Sequence, residues 1–300
     1  MDVFDDIAEA LEEDYRNPIP TGINGIDNLL DGGLAKGEIG VFLAPTGVGK
    51  TTILTKLANT AYNLGFNVLQ IFFEDNPKVI QRKHITCWTG IPQREQVERR
   101  DEVLEKIIPY RDRGKLILEK LPSDRITINV IKNKIRKLQA EGNKFDMILL
   151  DYIDCVVPDR GFSDEWKGEG LVMRQFETMC NEFDLVGWTA AQGNRSSISS
   201  EVVTTDMMGG SIKKAQVGHV IVSIAKTLQQ KDLGLATIAM VKSRVGKDGV
   251  VFENCKFDNE TLVIDTEQSQ TLLDLEHSRE ERNRDRVRQA LERRSQNINQ

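Results

Sequence analysis

The residues best placed to do chemistry are a glycine loop that ends in Lys50 and Thr51, together with acidic residues at the ends of apolar runs. The segment Gly40–Thr52, GVFLAPTGVGKTT, passes from an apolar strand through the loop into a helix start, the context a Walker A phosphate loop requires. Gly47 and Gly49 let the backbone curl so that its N–H groups, with the positive end of the following helix, surround phosphates. The expected nucleotide contacts are Ala44, Pro45, Thr46, Gly47, Val48, Gly49, Lys50, Thr51 and Thr52. Lys50 would place its ammonium on the β and γ phosphates and Thr51 would offer a hydroxyl to magnesium, while Thr52 reads as a first-turn helix residue. Ala44 stands where the pattern has its first glycine. The implied cofactors are ATP and Mg2+.

A second apolar run, MILLDYID, leads directly to Asp151, the position of a Walker B carboxylate that holds the metal through water. Asp154 is the competing acid, but Asp151 follows the apolar residues immediately and so falls at the strand's carboxyl end, where such folds keep ligands. The run NVLQIFFED is expected to end at Glu74, a candidate base for the attacking water, with Asp75 beside it as the alternative.

These positions need a frame. From Gly22 onward, short apolar runs (IGVFLA, NVLQIFF, KLILE, MILLDYI, LVGWTAA, HVIVSI, ATIAMV) alternate with longer helix-like stretches, the signature of strands and crossover helices. The fold class is α/β, a P-loop core with a largely parallel twisted sheet flanked by helices. The polar stretch TLQQKDLG and the segment SRVGKDG ahead of VFENCKF predict that the far edge turns antiparallel. Val3, Ile7 and Leu11, with Phe4, predict a short amphipathic helix before Asn17–Pro20 break it. The expected divisions are 1–19 for that helix and linker, 20–268 for the ATPase domain and 269–300 for an Arg- and Glu-rich tail.

The chain has 300 residues, of which 39% are hydrophobic, enough for one main core. A net charge of −6 excludes a globally basic surface, so any contact with nucleic acid must come from a local patch. Cys87, Cys155, Cys180 and Cys255 form no CxxC pair, which removes the usual zinc or dithiol spacing. No apolar run approaches membrane-spanning length, and the acidic start is unlike a signal peptide, so the expected compartment is the cytoplasm with no membrane partner.

Taken together, LAPTGVGKTT, FFED, MILLDYID, GWTAAQGNRS and VKSRVGKDG resemble the ordered motifs of DnaB-like hexameric replicative helicases, over roughly Pro20 to Asp265. The wording WTAAQ, and KSR followed by a glycine, is similar to the replicative helicases of T-even-like bacteriophages. Ala44 is usual in the family. The resemblance implies a RecA-like fold, with ATP held between neighbouring subunits of a homo-hexameric ring that moves 5′ to 3′ on single-stranded DNA. It assigns Glu74 as the catalytic glutamate and Gln192 as the polar sensor of the γ phosphate. Lys242 and Arg244 match the pair delivered to the next subunit's ATP, with Arg244 as the arginine finger, which would stabilise charge on the transferring phosphoryl.

The long polar segment between Gln192 and Val217 resembles the family's central DNA-binding loop, here shorter and without an arginine near Met207–Met208. Its candidate DNA contacts are Arg195, Gly209, Gly210, Ser211, Lys213 and Lys214, cations and backbone N–H groups suited to phosphates. Arg160 and Lys167, after the Walker B run, mark a second candidate loop. With fewer than fifty residues ahead of the P-loop, the family's N-terminal collar is expected to be missing and the Val3–Leu11 helix to dock on a neighbouring subunit. The tail reads as a solvated helix, with a primase or helicase-loader contact or an accessory DNA contact as the alternatives. Two rivals remain: a RecA- or RadA-like recombination ATPase, which PTGINGIDNLLDGGLAKGE also resembles, and a KaiC-like regulatory ATPase.

Overall fold

The computed structural model describes Ile7, Leu11 and residues 16–123, 126–159, 165–193 and 217–267. The described strands are β1 (Ile39–Ala44), β2 (Val68–Phe72), β3 (Leu116–Lys120), β4 (Met147–Asp151), β5 (Val186–Gln192), β6 (Val220–Ala225), β7 (Leu235–Ser243), β8 (Val250–Phe257) and β9 (Ile264–Asp265). The helices are α1 (Asn24–Leu29), α2 (Lys50–Asn63), α3 (Pro77–Thr89), α4 (Arg100–Ile107), α5 (Ile128–Ala140), α6 (Glu165–Glu182) and α7 (Leu228–Leu233). They build one mixed sheet in the order β3-β2-β4-β5-β1-β6-β7-β8-β9. The first six strands in that order are parallel, and β7, β8 and β9 are antiparallel.

The runs that form β1, β2, β4, β5 and β6 are almost wholly buried, because a parallel sheet covered on both faces demands continuous apolar sequence rather than alternation, while the edge strand β3 is half-buried. All six residues of β1 are buried. Its Gly40 sits opposite Trp188 of β5, and a Cβ there would lie 2.3 Å from the indole. The missing side chain makes room for Trp188 to stack on Phe42 at 4.7 Å.

One core packs α5 and α6 against the sheet through Ile131, Ile135, Phe176 and Met179. The core on the other face holds α2 through Ile53, Leu54, Leu57 and Ala61.

The structure departs from the sequence reading in four places, the first being that α6 starts at Glu165, so Lys167 sits in a helix and not in the second candidate loop. β2 stops at Phe72, so Glu74 stands in the loop beyond the strand instead of ending it. TLQQKDLG holds the helix α7, started by a capping box in which Thr227 accepts from the Gln230 backbone N–H and the Gln230 side chain accepts from the Thr227 N–H. β9, two residues long, is too short to leave a periodic signal.

Candidate nucleotide-binding site

Parallel strands carry their carboxyl ends to one edge of the sheet, and register fixes which residues meet there. Phe72 pairs with Asp151, and Ala44 pairs with Gln192. The loops after β1, β2, β4 and β5 therefore open on one cleft of about 550 Å³. Thr46, Gly47, Gly49, Lys50, Thr51 and Thr52 line one wall, with Glu74, Asp151 and Gln192 opposite. Ala44, Pro45 and Val48 complete the loop that carries this wall.

Gly47 and Gly49 have φ of +77° and +128°, which L side chains rarely adopt. Gly49 is also pressed from behind, since a Cβ there would lie 2.6 Å from the Phe257 ring. The loop is held by Asn259, which accepts from the Thr52 hydroxyl at 2.9 Å and donates to the Val48 carbonyl at 3.4 Å. Thr52 thus faces Asn259.

Asp151 is only 7% exposed. Burial pushes its carboxyl above the usual range, against the opposing pull of a hydrogen bond from Thr51 and the nearby Lys83 and Lys50 ammonium groups. A desolvated carboxylate beside a hydroxyl is the sparse oxygen donor set that Mg2+ shares with phosphate oxygens and water, so the residues fit that ion. Burial lowers the Lys50 pKa, while Asp154, Asp151 and Glu74 pull it the other way. Its ammonium lies 5.2 Å from the Tyr152 ring centroid. The Tyr152 hydroxyl donates to Glu74 Oε1 at 3.3 Å, and Lys120 donates to the Glu74 carbonyl at 3.1 Å. The competing acid Asp154 accepts from the Gln192 backbone N–H at 3.1 Å, joining the Walker B loop to β5. Asp75 lies 3.5 Å from Lys83 Nζ.

Three lining residues escaped the sequence reading: Lys83, Tyr152 and Asn259. Tyr152 had a signal in its place beside Asp151. The other two come from α3 and from the turn after β8, and no local pattern marks them.

Lys242 and Arg244 are not in this cleft. Their strand runs antiparallel to β6, so Ser243 pairs with Val220 and the Arg244 N–H donates to the His219 carbonyl. His219 in turn donates its N–H to Ile39, the first residue of β1. Lys242 Nζ donates to the Gly218 carbonyl at 2.7 Å. The expected DNA contacts Arg195, Gly209, Gly210, Ser211, Lys213 and Lys214 lie outside the described residues, as do Arg160 and the side chain of Lys167. Of the N-terminal helix, Ile7 and Leu11 are described, and both are exposed.

Comparison with known proteins gives a consistent picture. The sequence profile of the DnaB-like helicase C-terminal domain family matches residues 18–266. The fold is similar to a solved DnaB-like replicative helicase described with its interactions with primase, with a TM-score of 0.72 and 16% identity over 88% of this chain and 68% of that one. It is also similar to the ATPase domain of G40P, with a TM-score of 0.70 and 16% identity over 86% of this chain and 94% of that one. A shorter match, 29% identical over 86 residues, is to the DNA repair protein RadA of two strains of Mycobacterium tuberculosis; it spans 28% of this chain and 18% of the length of those relatives.

Proposed function

Because this chain belongs to the DnaB-like helicase C-terminal domain family, a family of ATP-hydrolysing DNA helicases, we propose that it is the motor of a hexameric ring that pulls single-stranded DNA through its centre. The observation that carries this reading is the separation of the cleft from the Lys242–Arg244 pair. Arg244 lies level with Ile39, and the phosphate loop begins after Ala44, so the length of β1, about 17 Å, separates them along the strand. An arginine at that end serves no γ phosphate in its own cleft. In a head-to-tail ring it faces the neighbour's.

Each group then has a task. The loop N–H groups and Lys50 hold the phosphates. Thr51, and Asp151 through water, would hold Mg2+, which supplies charge neutralisation at the β and γ phosphates when bound. Glu74 takes a proton from the attacking water, and the Tyr152 hydroxyl fixes the carboxylate's direction. Arg244 of the neighbouring subunit stabilises the charge that builds on the transferring phosphoryl. Gln192 sits where β5 leads into residues 194–216, so loss of the γ phosphate can be passed to Arg195, Gly209, Gly210, Ser211, Lys213 and Lys214 on the DNA. Movement follows from different affinities of the ATP and ADP states for the strand, in the 5′ to 3′ direction that the resemblance implies.

In this reading residues 20–268 form the motor and the helix within 1–19 docks on an adjacent subunit through Ile7 and Leu11, while the charged tail 269–300 lies outside the described residues. A replicative role, of the phage type that WTAAQ and KSR suggest, makes a primase or a loader a partner and the cytoplasm the compartment. The local similarity to RadA favours a second reading, a recombination ATPase. Forked DNA separates them: strand separation with ATP and magnesium, abolished by Lys50→Ala, supports the helicase, whereas pairing of homologous strands without unwinding contradicts it.

A further inference from the structure

Behind the cleft, three elements that carry its chemistry meet at a row of buried polar side chains. Asn59 lies on the outer half of α2, Gln70 in the middle of β2 and His84 on α3, and none is more than 2% exposed. Asn59 Nδ2 is 2.8 Å from His84 Nδ1 and 2.9 Å from the Thr55 carbonyl. His84 Nε2 is 2.9 Å from Gln70 Oε1. An amide NH2 can only donate, so Nδ1 accepts and Nε2 carries the proton that goes to Gln70. One neutral imidazole tautomer therefore spans from helix to strand. Burial, with Lys83 beside it, lowers the His84 pKa to about 3 and keeps the ring in that neutral form.

Stability alone does not explain this row. Thr55 Oγ1, Asn59 Oδ1 and Gln70 Nε2 make no hydrogen bond within the described protein, so the cluster retains buried polar atoms that leucine or methionine would not bring. What hydrogen bonds add over apolar packing is direction. The row touches α2, which begins with Lys50 and Thr51, and β2, which ends two residues before Glu74. It also touches α3, which starts at Pro77 behind the Asn76 cap and bears Lys83 in the cleft one residue before His84. The Glu74 loop is thus suspended between two elements whose relative position His84 sets.

We propose that His84 is a positioning residue for ATP hydrolysis: its bridge from Asn59 to Gln70 holds the Glu74 loop in register with the phosphate loop. This rests on the reading of Glu74 as the base. The test measures ATP hydrolysis by the full chain with a thymidine oligonucleotide, alongside melting. His84→Leu is expected to lower kcat about tenfold, while KM for ATP stays within roughly twofold. His84→Gln, whose amide can accept from Asn59 and donate to Gln70, is expected to restore most of kcat. Gln70→Leu combined with His84→Leu leaves no unpaired polar atom between those two positions, so it guards against a simple folding failure. Its melting temperature is expected to recover while kcat stays low. Recovery of kcat together with stability, or an unchanged kcat in folded His84→Leu, overturns the proposal. Absence of hydrolysis in the unsubstituted chain instead overturns the ATPase reading itself.

Discussion

At the carboxyl ends of β1, β2 and β4 the functional groups line one cleft and are tied to one another, with Asp151 enclosed and bonded to Thr51 and Glu74 exposed but held by Tyr152. At the opposite end of the sheet Arg244 is exposed, and its backbone is anchored on His219. The first region holds the phosphate loop and its acids, the second the Lys242–Arg244 pair at the other edge of the sheet. Under the proposed reading phosphoryl transfer needs both, the phosphate loop of the first and the arginine of the second. The proposed division of the working site between two copies of the chain rests on this contrast.

The comparison can be broken by substitutions at either end. The largest effect is expected from Arg244→Ala, a fall of about 10³-fold or more in DNA-stimulated kcat with ATP affinity nearly unchanged, read by steady-state kinetics and fluorescent nucleotide titration. If ATP binding is lost with it, Arg244 acts within its own subunit or in the fold. Glu74→Gln is expected to lower kcat by about 10²–10³-fold, again with binding retained.

A smaller effect sharpens the structural half of the comparison, since the enclosed region contains His84. The folded pKa of this residue, about 3, lies below the ordinary 6.5, so below pH 6.5 the unfolded chain takes up a proton that the folded chain refuses. Its contribution is complete above pH 6.5 and is lost progressively as pH falls toward 3, about 2 kcal/mol by pH 5. The raised pKa of Asp151 acts in the opposite sense, favouring the folded state as its carboxyl protonates, and cancels when variants share it. Denaturant unfolding at pH 7 and pH 5 should therefore show a smaller acid loss in His84→Gln than in the unsubstituted chain. Equal losses would mean that His84 is accessible to protons.

Much of the enclosed region was legible because its signals are local. The apolar runs give the strands, glycines with positive φ give the loop, and an acid directly after MILL gives Asp151. Glu74 was found although β2 ends before it, since two loop residues do not carry it out of the cleft. Asn259 and Lys83 were not, because what makes them part of the site is tertiary packing: one is brought under the phosphate loop by the turn after β8, the other by the angle of α3. The row Asn59–His84–Gln70 was hidden for the same reason. α7 did carry its own signal, the Thr227–Gln230 spacing of a capping box, within a segment short enough to read as a turn.

Mixing two inactive chains tests the shared site most directly. Arg244→Ala subunits keep Glu74, and Glu74→Gln subunits keep Arg244, so random rings contain intact seams at about a quarter of their interfaces. Hydrolysis should rise well above that of either variant alone when the two are assembled together with a thymidine oligonucleotide. Turnover that stays at the average of the two separate variants, in rings shown to contain both chains, would contradict a site divided between subunits.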